Sequence, residues 1–250
     1  MMGAVRIAAA SVNHNTSAYM ELMLRSLVAC HPDQSALSLT IFDNGSTDDM
    51  AGLRAYAERI DVPIVASGYR LNTLHNSHGD VLDAFVASHP DVSHFLFLDA
   101  DVYFLEPDTI GTLVAELEAS PDAFGIGPRL SWDGLSEIPQ AAREANPDIC
   151  DARLHPCCAL VRNTPLFRTV VAAVGLGCYQ RLWAERVEYI DTFKAMTRIM
   201  GTHGLRHRLA SVRVLHFFAV SYAWDDKALV VAKQRRRDAL LDALRASDPV

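Results

Sequence analysis

Short apolar runs alternate with segments of helical apolar spacing through the first half of the chain. The apolar runs predict strands at Val5–Val12, Ser38–Phe42, Val62–Ala66, His94–Leu98 and Phe124–Ile126. The segments between them predict helices at Ala18–Ala29, Asp48–Ile60, Val81–Ser88 and Pro107–Ala119. Nearly continuous apolar strands that alternate with helices are typical of a parallel sheet covered on both faces. We therefore predict an α/β fold with a Rossmann-like first half of about 130 residues.

The second half of the chain is less regular. The polar stretch Ser131–Cys150 contains two prolines and predicts a long loop. Further on, the pattern predicts strands at Cys157–Val161 and Val212–Phe218, and helices at Asp191–Met200 and Asp225–Ser247. The length suits one compact domain spanning residues 1–250.

Composition and charge narrow the class of protein. Half of the residues are apolar, which excludes a disordered chain, and 23 basic against 30 acidic residues give a net charge of −7. An acidic balance argues against a nucleic-acid binder. We expect a cytoplasmic protein without a transmembrane segment, because no apolar run is long enough and the five cysteines show no C-x-x-C spacing. The basic triplet Arg235–Arg237 could contact an acidic membrane surface, although a solvated helix face is the better explanation.

Polar side chains follow three of the predicted strands at the point where each strand ends. They are Ser11, Asn13 and Asn15 after the first strand, Asp43, Asn44, Ser46 and Asp48 after the second, and Asp99 and Asp101 after the fourth. Ligands of open parallel sheets bind beyond the carboxyl ends of the strands. Two carboxylates two residues apart offer the hard oxygen ligands that Mg²⁺ or Mn²⁺ prefers. Capping or turn carboxylates are the alternative explanation for Asp99 and Asp101.

Four stretches of this sequence resemble the nucleotide-binding motifs of GT-A glycosyltransferases, family 2 in particular. They are Ser11-Val12-Asn13, Ile41–Asp48, the asparagine- and glycine-containing stretch Arg70–Gly79, and Leu98-Asp99-Ala100-Asp101. The resemblance covers about 130 residues and has the motifs in the family's order. It implies a nucleotide-sugar-binding half over about residues 1–130 and an acceptor-binding half, with the C-terminal helix, over about residues 131–250.

The resemblance implies an inverting transferase of the hexosyl or deoxyhexosyl class that depends on a divalent metal. The donor would be a nucleoside-diphosphate sugar, and the acceptor a hydroxyl group on a glycan, a lipid-linked glycan or a small molecule. Asp101 and Asp99 would bind Mn²⁺ or Mg²⁺. The remaining nucleotide-sugar contacts would come from Ser11, Asn13, Asp43, Asn44, Ser46, Asn72, Asn76, Gly79 and Asp99. Many relatives carry Arg or Lys where this chain has His78, which leaves a cationic diphosphate contact there in doubt.

The resemblance assigns two residues of the second half. Asp191, which precedes a predicted helix, matches the catalytic base, and a helix N-cap is the structural alternative. His216 closes a predicted strand and matches the family's third metal ligand, while a purely structural histidine is the alternative. His155 would lie near the acceptor, and Cys157 and Cys158 are interpreted as buried apolar residues.

Other functions remain to be weighed. A haloacid-dehalogenase-type phosphatase uses a similar acidic pair, but on an early strand and followed by Thr or Val where this chain has Tyr103. Sugar nucleotidyltransferases carry a basic glycine-rich loop after the first strand, where this chain has Ser11–His14. A binding protein that keeps the fold without catalysis is the third alternative.

Overall fold

The computed structural model describes residues 5–33, 35–69, 77–131, 153–182, 184–218, 220 and 227–247. Two of the predicted nucleotide contacts, Asn72 and Asn76, lie outside the described residues. So does nearly all of the predicted loop Ser131–Cys150.

Ten strands and seven helices are found in the described part of the chain. The strands are β1 (Ile7–Asn13), β2 (Leu37–Asp43), β3 (Ile64–Ala66), β4 (His94–Asp99), β5 (Val102–Phe104), β6 (Ala123–Ser131), β7 (Cys158–Arg162), β8 (Tyr179–Leu182), β9 (Val187–Ile190) and β10 (Arg206–His216). The helices are α1 (Ser17–Cys30), α2 (Ala51–Arg59), α3 (Ser77–Ser88), α4 (Thr109–Glu118), α5 (Pro165–Val174), α6 (Lys194–Thr202) and α7 (Lys227–Ser247).

Eight of these strands form one mixed sheet in the order β3-β2-β1-β4-β7-β6-β10-β5. Strands β1 to β4 are mutually parallel, as the sequence pattern predicts. Strand β7 runs antiparallel to both of its neighbours, β4 and β6, and β5 runs antiparallel to β10. The sheet is thus mostly parallel, as expected for this fold class, with β5 and β7 as its antiparallel members. Strand β7 is as apolar as a central parallel strand because both of its faces are buried, so its pattern carries no information on direction.

Helices cover the sheet on both faces. On one face, α1, α2 and α4 pack against side chains of β4 such as Leu96 and Leu98. On the other face, α3, α5 and α6 pack against Phe95 and Phe97 of the same strand. This strict alternation along β4 follows from the two-residue period of a strand. The fold is thus a three-layer α/β arrangement whose central strands end at one polar edge.

Helix α7 packs on α1 and the end of β10. Leu241 of α7 lies in a buried cluster with Tyr19, Leu22 and Phe217. Within the described residues, no helix is both long and apolar enough to cross a membrane.

Several elements differ from the sequence-based prediction. Helix α6 begins at Lys194 rather than Asp191, and β10 begins at Arg206, ahead of the predicted Val212. Strand β5, helix α5 and the β8–β9 hairpin were not predicted. The sequence does contain a helix start signal for α5. The Thr164 hydroxyl caps the helix by accepting the Phe167 N–H, and Pro165 occupies the first turn.

Candidate functional site

Asn13 organises the carboxyl ends of β1 and β2. It pairs with Asp43 in the parallel register of these strands. Its Nδ2 lies 3.0 Å from Ser17 Oγ, 3.0 Å from Ser46 Oγ and 3.3 Å from Asp43 Oδ1, and its Oδ1 accepts the Thr16 hydroxyl at 2.9 Å. The structure therefore brings the predicted residues Asn13, Asp43 and Ser46 together. Since the Asn13 side chain is fully buried, it braces the two loops that carry the others.

The loop after β2 is held against the loop after β1 by further hydrogen bonds. Asn15 has a positive φ of 55°, and its Oδ1 accepts the Thr47 N–H at 2.7 Å. The Asp48 carboxylate accepts both the N–H and the hydroxyl of Ser17 at 2.9 Å. The predicted residue Asn44 is buried, and its N–H donates to the Asn13 carbonyl at 2.8 Å. Asn15 and Asp48 thus lie at the sheet edge where the sequence predicts that polar residues converge.

Ser11 is not brought to this edge by its side chain. The residue is completely buried, and its Oγ lies 3.4 Å from the Sδ of Met20 in α1. Asp43 differs, because it is only partly buried and its carboxylate accepts the Ser46 N–H at 3.3–3.4 Å. Asp43 thus presents an acceptor at the edge of the sheet, whereas Ser11 packs beneath it.

Three potential metal ligands meet at the end of β4. Asp99 ends this strand, Asp101 follows in the turn to β5, and His216 ends β10 opposite Val102. His216 Nε2 lies 3.1 Å from Asp101 Oδ1 and 3.7 Å from Asp99 Oδ2. Asp101 and His216 are buried, while Asp99 is partly exposed. The structure therefore places the predicted set Asp99, Asp101 and His216 in one cluster.

The charges in this cluster are coupled. Burial raises the pKa of the Asp99 carboxyl even though His78 and His216 oppose that shift. Burial acts the same way on Asp101, but the charge and hydrogen bond of His216 outweigh it and lower the pKa of Asp101. In turn, burial would lower the pKa of His216, and the two carboxylates raise it instead. The two carboxylates thus surround the imidazole of His216 with negative charge.

The donor atoms of the cluster fit a divalent cation. Two neighbouring ligands of an octahedral ion with bonds of about 2.1 Å lie about 3 Å apart. The 3.1 Å between Asp101 Oδ1 and His216 Nε2 matches that spacing. Carboxylate oxygens with one imidazole nitrogen suit Mg²⁺ or Mn²⁺. Asp99, Asp101 and His216 could therefore hold such an ion.

The start of α3 approaches the same edge. His78 Nε2 lies 3.9 Å from Asp99 Oδ1, so its imidazole stands beside the acidic pair. Gly79 is buried, and a Cβ added there would lie 2.1 Å from Gly177 Cα. The absence of a side chain at Gly79 thus permits a close contact between α3 and the segment before β8, whatever the role of Gly79 towards a ligand.

Asp191 is fixed by Arg153 and does not cap α6. The residue preceding α6 is Phe193, and it makes no side-chain cap bond. The Asp191 carboxylate pairs with the buried guanidinium of Arg153, and Arg153 also donates to the Thr192 carbonyl. Asp191 Oδ1 accepts the Thr192 N–H at 2.8 Å, and its side chain is 40% exposed. The capping alternative is therefore wrong, and Arg153 is a residue of the site for which the sequence held no signal.

Comparisons with known proteins find similarity only in structure. No protein-family model matches the sequence, and no curated protein sequence shows significant similarity to it. A mannosyltransferase from Pyrobaculum calidifontis, solved with GDP-Man and Mn²⁺, matches all of this chain with a TM-score of 0.60 and 14% identity. The chain spans 66% of that enzyme's length.

A second enzyme, from another organism, is similar at the same level. Glucosyl-3-phosphoglycerate synthase from Mycobacterium tuberculosis, in complex with phosphoglyceric acid, matches 96% of this chain with a TM-score of 0.56 and 16% identity, over 80% of its own length. The same synthase with Mn²⁺ and uridine-diphosphate-glucose matches with a TM-score of 0.52 and 15% identity, over 96% of this chain and 79% of that one. The chain therefore has the GT-A fold, the fold of these nucleotide-sugar-dependent glycosyltransferases.

Proposed function

We propose that the protein transfers a sugar from a nucleoside-diphosphate sugar to a hydroxyl-bearing acceptor, with inversion and with a divalent metal. The observation that carries this proposal is the cluster of Asp99, Asp101 and His216 beside the Asn13–Asp43–Ser46 network, at one edge of a GT-A fold. The enzyme belongs, on this proposal, to the hexosyl or deoxyhexosyl transferases. The donor sugar and the nucleobase are left open.

Asp43 is the proposed contact to the nucleobase. Its carboxylate is partly exposed and held in place by Asn13 and Ser46, so it can accept an N–H of a base without reorganising. Asn44, Ser46 and Gly79 line the same approach, and Asn72 and Asn76 remain predicted contacts. Ser11 supports this site from beneath.

Asp99, Asp101 and His216 are the proposed ligands of the metal, and the donor diphosphate would complete its coordination. When bound, the ion neutralises the negative charge of the departing nucleoside diphosphate. Mn²⁺ is favoured because both similar enzymes were solved with it, and Mg²⁺ is the alternative. Burial of Asp101 and His216 holds these donors in one geometry before the ligand arrives.

Asp191 is the proposed catalytic base. Its exposed carboxylate can take the proton of the acceptor hydroxyl as that oxygen attacks the anomeric carbon. Arg153 orients the carboxylate from the buried side, through a hydrogen bond to Oδ2. The acceptor would enter beside β9, which ends one residue before Asp191.

A thermal-shift panel of UDP, GDP, dTDP and CDP, each with and without Mn²⁺, tests the donor side of the proposal. A ligand at one hundred times its Kd stabilises the folded state by about 2.7 kcal/mol. We expect one nucleotide to raise Tm more with Mn²⁺ than without it. Asp101→Asn should lose that metal-dependent increment, and Asp91→Asn, an exposed carboxylate before the opposite end of β4, should keep it. The proposal fails if no nucleotide shifts Tm under either condition.

A non-catalytic nucleotide-sugar-binding protein is the alternative. It would give the same thermal shifts yet never convert the donor identified by the panel. Incubation of that nucleotide's sugars with Mn²⁺ and a mixture of hydroxyl acceptors separates the two cases. Release of nucleoside diphosphate that depends on acceptor supports the transferase, and the anomeric coupling constant of the product tests inversion.

A further inference from the structure

His216 has a second ring nitrogen that the proposed catalytic metal does not use. Its Nε2 faces Asp101 Oδ1 at 3.1 Å. Its Nδ1 is buried and makes no hydrogen bond to any described residue. A buried polar atom left without a partner destabilises the fold. The ring therefore has one engaged nitrogen and one that is open to a ligand.

Two further metal-binding side chains surround this histidine. His155 and Cys157 are both buried, and the rings of His155 and His216 meet edge to face with centroids 5.3 Å apart. One ligand atom from each of His155, Cys157 and His216 lies within 4.8 Å of the others. A neutral imidazole is an acceptable metal ligand.

We propose that His155, Cys157 and His216 form a second metal site, for a borderline or soft divalent ion of the Zn²⁺ class. Two imidazoles and a thiolate are typical zinc ligands, and three protein ligands leave one coordination position open. This set differs in chemistry from the oxygen-rich cluster of Asp99 and Asp101. Only His216 belongs to both.

The hydrogen bond to Asp101 prepares His216 for this second ion. When Nε2–H donates to the Asp101 carboxylate, the lone pair of the neutral ring resides on Nδ1. A carboxylate, a histidine and a metal in this order form an arrangement that recurs in zinc sites and fixes the tautomer. An ion on Nδ1 keeps the proton on Nε2, so His216 cannot at the same time bind Mn²⁺ through Nε2. The two ions therefore compete for one residue.

The geometry requires a modest closure at most. Ligand atoms around tetrahedral Zn²⁺ lie about 3.4–3.6 Å apart, and the three ligand atoms already lie within 4.8 Å of one another. The Cys157 thiol gives its proton to solvent as the metal–sulfur bond forms. His155 Nδ1 accepts the Cys157 N–H at 3.2 Å, a long contact that an ion bound through that nitrogen would replace.

Cobalt titration of the whole chain, freed of metal with a chelator and kept reduced without thiols, tests the site. Co²⁺ bound to a thiolate gives a sulfur-to-metal charge-transfer band that carboxylate or imidazole ligands alone do not give. We expect this band at one equivalent in the wild type, and expect Zn²⁺ to remove it at stoichiometric amounts but Mn²⁺, which competes only for His216, to weaken it only in large excess. Cys157→Ser should abolish the band, and His155→Gln should weaken Co²⁺ binding at least about tenfold. Cys158→Ser is the matched control, because Cys158 is an equally buried neighbour outside the set.

Asp101→Asn separates this inference from the proposed function. Asn keeps an oxygen that can accept Nε2–H, so the charge-transfer band should persist, whereas Mn²⁺-dependent nucleotide binding should be lost. A wild-type protein without the band, or a Cys157→Ser protein that keeps it, overturns the second site and leaves the proposed function untouched. If Cys157→Ser does not fold, Cys157→Ala gives the same test, with circular dichroism confirming the fold of each variant.

Discussion

At the scale of single residues, the pairing with Arg153 gives Asp191 a role in stability beside its proposed role in catalysis. A buried guanidinium is costly unless it is paired, and Asp191 supplies part of the pairing through Oδ2. Asp191 therefore has both a stabilising contact and, on the proposed function, a chemical role. Because Asn keeps an acceptor for the Thr192 N–H but carries no charge, it distinguishes these two roles.

Asp191→Asn should fold, bind nucleotide and metal, and lose transfer by at least about a hundredfold, since a positioned general base contributes about 10²–10⁴-fold. Steady-state kinetics with the donor found in the thermal-shift panel measure the effect, and the melting temperature reports any loss of the Arg153 pairing. Glu188→Gln is the control, because Glu188 lies on β9 close by and pairs with the exposed Arg198. Full activity in Asp191→Asn together with loss in Glu188→Gln would move the base to Glu188.

Gly79→Ala should destabilise the protein by about 1–3 kcal/mol or more, because the added Cβ would meet the backbone of Gly177 at 2.1 Å and neither backbone can easily withdraw. Gly201→Ala is the matched control: Gly201 lies in helix α6 and an added Cβ meets nothing within 4 Å. The control should be neutral or stabilised by up to about 1 kcal/mol. Urea unfolding of both variants measures the difference. Equal stability of the two would mean that α3 does not approach Gly177 this closely.

At the scale of elements, the sequence predicts the strands that are buried on both sides and misses those that are not. Strands β1 and β4 read as continuous apolar runs because the sheet is covered on both faces. The β8–β9 hairpin escaped prediction because its apolar residues Leu182, Val187 and Tyr189 are exposed, so no buried face imposes a pattern. The direction of β7 was not predictable, because a strand buried on both faces is equally apolar whether it runs parallel or antiparallel to its neighbours.

The candidate site likewise contains residues that the sequence predicts and residues that it does not. Asn13, Asp43, Asp99 and Asp101 follow the ends of predicted strands, so the sequence identifies them. His216 needed the resemblance, because its position beside Asp101 depends on the antiparallel pairing of β5 with β10. Arg153 followed from neither, since it approaches Asp191 only through a contact between residues 38 positions apart.

Asp83 predicts a pH dependence at the junction of α3 and α5. Burial raises the pKa of Asp83 to about 6, against the effect of the Leu176 N–H, which donates to its Oδ1 at 2.9 Å. The folded protein thus holds this proton more tightly than the unfolded chain, so the free energy of unfolding falls as the pH rises from about 4 to about 6. Asp83→Asn removes that loss and keeps the acceptor for Leu176.

Urea unfolding between pH 4 and pH 7 tests the Asp83 prediction. We expect the free energy of unfolding of Asp83→Asn to rise relative to that of the wild type as the pH rises. The change should be on the order of 1 kcal/mol after allowance for solvent screening of a partly exposed group. Asp91→Asn, an exposed carboxylate outside any helix, should follow the wild type. Parallel curves for Asp83→Asn and wild type would contradict the prediction.

At the scale of the whole molecule, helix α7 packs against α1 and against the end of β10. Lys233 is buried, and its ammonium donates to the Phe218 carbonyl just beyond His216. Arg237 lies over the ring of Tyr19 at 4.8 Å, so one member of the basic triplet packs on α1. Contact of the remaining triplet with a membrane stays a prediction. Helix α7 thus supports α1 and the end of β10 together, and β10 ends at His216 of the cluster with Asp99 and Asp101.

The pairing of Arg245 with Glu21 is the charged contact that fastens α7 to α1. Glu21 is almost fully buried, and Arg245 reaches it with two hydrogen bonds, of 3.0 Å and 2.7 Å, while Arg25 adds a third at 2.8 Å. Burial alone would raise the pKa of Glu21, but the hydrogen bonds and charges of Arg245 and Arg25 outweigh burial and lower it. A carboxyl with a lowered pKa stabilises the fold above its unfolded pKa of about 4.3, and that contribution is lost as the pH falls through the folded value.

Arg245→Met should therefore destabilise the protein by about 1–2 kcal/mol at pH 7, because Glu21 stays buried with one cation fewer. The lower part of the range for buried pairs applies, since the Arg245 side chain is 46% exposed and solvent screens it. The loss should shrink as the pH falls through the lowered pKa of Glu21, because a neutral Glu21 no longer needs a cation. Arg213→Met is the matched control, because Arg213 pairs with Glu106 at the surface and its removal should cost no more than about 0.5 kcal/mol at any pH. Urea midpoints of both variants from pH 7 to pH 3 give the comparison. A pH-independent loss in Arg245→Met would show that the arginine acts through packing of its aliphatic stem and not through the charge of Glu21.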